Sequence, residues 1–110
     1  MDAYTELANY LGDAGIGSYM QNPNLLVISS NYPALPSSNC FWAAMRDSAW
    51  YIGTWLPAVY QVPTDANVGA VCKQVYESSS RAIYTVDPEL AARLHLRELD
   101  EPEMAHLGFT

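Results

Sequence analysis

The chain has 110 residues, half of them hydrophobic and only 15% charged, with a net charge of −7 and a sequence pI near 4.4. One lysine, Lys73, and four arginines are too few to neutralise a run of phosphates, which argues against nucleic acid and against an anionic membrane surface as direct partners. A single domain over residues 1–110 is expected, large enough to need neither metal nor disulfide, and short of the solvated side chains that usually cover a surface.

The opening MDAYTELANYLGD is acidic where a secretory leader would be basic. The longest apolar run, LLVI at 25–28, falls far below the ~20 residues of a membrane span, so a cytoplasmic location is expected. In residues 3–11, Tyr4, Leu7, Ala8 and Leu11 fall on one helical face, with Asp2 as cap and Gly12 as the left-handed stop. DAGIGSYMQNPN then reads as a connection, LLVISS at 25–30 as a short buried strand, and NYPALPSSN at 31–39 as a loop.

The aromatic block follows. Residues 40–46 and 49–56 are expected to be antiparallel strands joined through RDSA, with a turn at Pro57 and Ala58 and a third strand at 59–62. Beyond Pro63, Val68, Val71, Cys72, Val75 and Tyr76 make a full apolar stripe, so 64–77 reads as a helix capped by Thr64 or Asp65 and ended by SSS at 78–80. Gly69 costs that helix about 1 kcal/mol unless a close neighbour needs the space. AIYTV at 82–86 suits one more strand. DPELAARL carries Asp87 as cap, Pro88 at the first helical position and Leu90, Ala91 and Leu94 inward, and LREL at 96–99 leaves the helix. Residues 100–110 read as a loosely held acidic tail in which Leu107 and Phe109 have the means to dock. The fold class is therefore α+β: an antiparallel sheet of about four or five strands with helices packed on one face.

That sheet does not alternate apolar with polar. Trp50, Ile52 and Thr54 oppose Tyr51, Gly53 and Trp55 in one strand; Cys40, Trp42, Ala44 and Arg46 oppose Phe41, Ala43 and Met45 in the other. Three arrangements would cover two apolar faces: helices on both sides, a second copy of the chain, or a different protein or small apolar ligand.

Chemistry-bearing residues are sparse. His95 and His106 lie outside any metal-ligand spacing, and the acids of the tail suit solvation. Cys72 sits on the apolar face of a helix, where burial makes a thiol inert, and Cys40 has no histidine nearby in sequence. GIG at 15–17 lacks the strand-to-helix context of a dinucleotide loop. No cofactor is implied. Arg46 and Asp47 are expected to be exposed at a hairpin tip.

The expected function is a non-enzymatic cytoplasmic interaction module. It would self-associate as a homodimer, or bind another protein, through an aromatic sheet face formed by Trp42, Arg46, Trp50, Tyr51, Trp55 and Tyr60. The rival is a small enzyme or ligand-binding protein with a small-molecule pocket between sheet and helices, in which Asp47 or His95 would matter.

Overall fold

The computed structural model describes residues 2–29, 40–54, 58–78 and 86–109. Among them the chain forms helix α1 (Ala3–Asp13), strands β1 (Ser18–Asn22), β2 (Leu25–Ser29), β3 (Cys40–Arg46), β4 (Ala49–Gly53) and β5 (Val59–Gln61), helices α2 (Val68–Ser78) and α3 (Pro88–Leu94), strand β6 (Arg97–Glu98) and helix α4 (Glu101–His106). The strands make one antiparallel sheet in the order β1-β2-β3-β4-β5-β6. The α+β class is as expected, with more strands than the four or five anticipated. The loop expected at 31–39, the turn at Pro57 and most of the strand expected at 82–86 lie outside the described residues.

Local chemistry sets the helix ends. The carboxylates of Asp2, Asp87 and Asp100 each accept the N–H three residues on, from Thr5, Leu90 and Glu103. At α2 the cap is Asn67, whose Oδ1 accepts the Ala70 N–H at 3.1 Å. Thr64 and Asp65 do not serve, because Pro63–Ala66 is closed as a turn by Ala66 N–H to Pro63 C=O at 3.0 Å. Helices α1, α3 and α4 all end in the Schellman pattern, in which two N–H groups bond back to orphan carbonyls. In α1 the left-handed residue is Gly15 (φ 80°) rather than Gly12, and Ile16 bonds back to Leu11 at 2.8 Å. In α3 it is His95 (φ 57°), with the Leu96 N–H on Ala91.

The hairpin between β3 and β4 sets the register. Asp47 and Ser48 both have positive φ, as a two-residue primed turn requires, so Arg46 opposes Ala49 and Trp42 opposes Gly53. With that register the first sheet face carries Leu26, Ile28, Phe41, Ala43, Ile52 and Tyr60. Against it pack Leu7 and Leu11 of α1, Val71, Cys72 and Val75 of α2, and Leu90 of α3, forming the main core. Tyr10 of α1 lies over Gly69 of α2: a Cβ there would stand 2.5 Å from the Tyr10 ring. The space that Gly69 leaves is thus used.

The second face differs from expectation. It carries Trp42, Ala44, Arg46, Ala49, Tyr51, Gly53 and Val59, and it is not left to an outside partner alone. Helix α4 lies on it, and Met104, Leu107 and Phe109 pack with Ala49, Tyr51, Val59 and Leu99. Helices therefore occupy both faces, three on one and one on the other. The acidic tail is structured from Asp100 onward, because a reciprocal Asp100–Glu103 capping box starts a helix whose inward side is apolar.

Candidate functional site

Three of the six residues expected to share a face do so. Trp42, Tyr51 and Arg46 point to the second face, and all three meet Phe109. The Trp42 and Phe109 ring centroids are 5.2 Å apart, those of Tyr51 and Phe109 5.4 Å, and the Arg46 guanidinium carbon stands 5.0 Å above the Phe109 ring. Arg46 is half-buried rather than exposed at the hairpin tip. Its Nε donates to the Leu107 carbonyl at 3.3 Å and its Nη1 to the carbonyls of Met45 (3.0 Å) and Asn24 (3.2 Å). One guanidinium thus ties the end of α4 to the sheet and to the β1–β2 turn. Asp47 remains exposed.

Trp50 and Tyr60 lie on the opposite face. Trp50 meets Tyr4 of α1 edge-on, with centroids 5.2 Å apart. Tyr60 is buried, and its hydroxyl donates to the Val86 carbonyl at 3.2 Å; burial, with the neighbouring Glu98 charge, raises its pKa. Trp55 lies outside the described residues. The aromatic block therefore serves two surfaces, because the register sets the even positions of β3, Trp42 among them, beside the odd positions of β4, and Trp50 falls on the other side.

Phe109 was legible in the sequence only as a residue able to dock. What places it is the end of α4. Gly108 adopts φ 83°, the Phe109 N–H bonds back to the Met104 carbonyl at 2.8 Å, and the Gly108 N–H to Ala105 at 3.2 Å. This turn folds the phenylalanine beneath Met104, onto Trp42.

Helix α4 stands on the sheet as a ridge with an open cleft on each side. The larger, about 610 Å³, is walled by Trp42, Val59, Met104 and Phe109, with Thr54 and Glu101 at its margin. The smaller, about 360 Å³, lies between Tyr51, Pro102, His106 and Leu107. At the smaller cleft, which Glu103 also lines, Arg97 donates to Glu103 at 2.8 Å and to Gln61 at 3.2 and 2.7 Å. The Arg97 guanidinium holds the Glu103 carboxyl below its ordinary range, helped by the Asp100 N–H.

Elsewhere the chemistry is quiet. Burial pushes the Cys72 thiol up to about 12, which keeps it protonated and unreactive. His95 is exposed, and its backbone rather than its ring closes α3. Among the described residues no group of three or more His, Cys, Asp and Glu side chains gathers at metal-binding distance, and no helix is long and apolar enough to cross a membrane.

No protein-family model matches the chain, and neither the curated proteins nor the solved structures contain a match to it.

Proposed function

We propose that this chain is a non-enzymatic cytoplasmic interaction module that holds a segment of another protein on its second sheet face. The observation that carries the reading is the cleft beside α4. A Trp, a Met and a Phe wall it, with Arg46 stacked over the Phe109 ring, and these are the residue types enriched where proteins anchor one another.

Charge favours a different protein over a second copy. A two-fold dimer sets the same patch against itself. Glu98, Asp100, Glu101 and Glu103 crowd the stretch that leads into α4, and the neighbouring Arg97 is already paired with Glu103. Self-pairing would press those acids together, and like charges across an interface oppose association. A partner with basic residues flanking an apolar anchor suits the same surface. The enzyme reading has less to stand on: Glu101 is the single titratable side chain among the described residues that line the larger cleft.

The test is native mass spectrometry of the tagged chain purified gently from its source organism. A stoichiometric second chain, absent from a folded Thr54→Arg variant, is expected. A bare monomer, a homodimer, a bound metabolite or a complex indifferent to Thr54→Arg would overturn the reading.

A further inference from the structure

We infer that residues 100–109 are an internal ligand of the second sheet face, and that the external partner presents a short helix of the same pattern: methionine, leucine three residues on, and a phenylalanine two further after a left-handed turn. This rests on the reading above and names the apolar anchor of its partner: the cleft beside α4 is where the outside segment first engages, and the sheet face under α4 is where it ends. The argument is that the face already has an occupant in this chain. Met104, Leu107 and Phe109 are the residues it accepts, against Tyr51, Val59 and Trp42.

That occupant is lightly held. Helices α1, α2 and α3 each bury at least one side chain, whereas α4 buries none. Six residues are far too few for a helix to persist without its seat. Its ion pair, Arg97–Glu103, is exposed on both sides (54% and 36%), and such pairs contribute little. Its other ties among the described residues include the Arg46 bond to Leu107, the rings around Phe109 and the packing of Met104 and Leu107 with Ala49, Tyr51 and Val59. Weakly packed segments of this kind are the ones that open locally. Open space on both flanks of α4 leaves room for an incoming helix to engage before the internal one departs. Apparent affinity for the outside segment is then the intrinsic affinity scaled by the open fraction, so loosening the internal copy strengthens binding in trans.

The test uses the full chain and a fluorescein-labelled peptide, LDEPEMAHLGFT, copied from residues 99–110. Fluorescence anisotropy is read against wild type, Phe109→Ala and, as a second loosened chain in case the first folds poorly, Leu107→Ala. The peptide is expected to bind a loosened chain at least about tenfold more tightly than wild type. A peptide carrying Phe109→Ala is expected to lose that binding. Equal affinity for wild type and a folded loosened chain, no binding to either, or indifference to the peptide's phenylalanine overturns the inference. Failure here is separable from failure of the functional reading. A chain that refuses the peptide yet co-purifies a partner through Thr54 overturns only the internal ligand. One that binds the peptide but carries no second chain supports the internal ligand and overturns the reading.

Discussion

Gly53 is the position where the second face is most sharply testable. It lies buried on β4, directly opposite Trp42 on β3, and a Cβ built on it would fall inside the Trp42 indole. The tryptophan thus covers the strand glycine from across the ladder, a known way of compensating a residue with nothing to pack. In Gly53→Ala the indole has to move, and its other side is already against Phe109. Overpacking of this kind costs about 1–3 kcal/mol. Disturbing the Trp42–Phe109 pair adds about 0.5–1.5 kcal/mol. Against these, alanine regains roughly 0.5–1 kcal/mol over glycine in a strand. The net loss is about 1–3 kcal/mol, which at an m-value of about 1–3 kcal/mol/M lowers the urea midpoint by roughly 1 M.

The decisive assay is a double-mutant cycle followed by urea unfolding. In a Trp42→Ala background the clash is gone, so Gly53→Ala should be neutral or slightly stabilising, leaving a coupling of about 2 kcal/mol between the two positions. If Gly53→Ala costs the same with and without the indole, or costs nothing in wild type, the packing of Trp42 described above is wrong.

Two further outcomes are expected. The Tyr4 hydroxyl accepts the Met45 N–H at 2.8 Å where β2 gives way to its turn, and donates to Asn24 at 3.0 Å; Tyr4→Phe should cost about 1–2 kcal/mol in urea unfolding, and an unchanged midpoint would remove that bond from the account. The Glu103 carboxyl is lowered, first by the Arg97 hydrogen bond, so its support of α4 is complete above the ordinary glutamate pKa and is lost as pH falls through the lower folded value. Cα chemical shifts of residues 101–106 should therefore stay helical down to the ordinary glutamate pKa and drift toward coil only below it; a transition already complete above that pKa contradicts this.

Much of the fold was legible because its signals are local. Asp2 and Asp87 cap where side-chain chemistry says they should, and Pro88 opens α3. The stripe Val68, Val71, Cys72, Val75 reports burial directly. Register was not local. Alternation separates the two sides of each strand, but which side of β3 joins which side of β4 is decided by the Asp47–Ser48 turn. Without that, alternation parts Trp50 from Tyr51 but does not say which of the two shares a face with Trp42. Strand β1 escaped for another reason. SYMQN is a sheet edge, half-buried at best, with a register shift between Met20 and Asn22, so it shows neither alternation nor an apolar run.

The occupant of the second face was hidden by its own design. Its start carries a readable signature, Asp100 with Glu103 three residues on and Pro102 in the first turn, but the acids that cap the helix also make the stretch look like a solvated tail. Its apolar residues do not keep a helical period. Met104 and Leu107 are three apart, and Phe109 then falls where a continuing helix would turn it away from the sheet. Gly108 breaks the helix in the left-handed region and brings Phe109 back under Met104, so the apolar face is completed by a turn rather than by periodicity. Contacts assembled this way from a few residues are local to the segment and owe little to the main core. They belong to the segment and, on the inference above, travel with it.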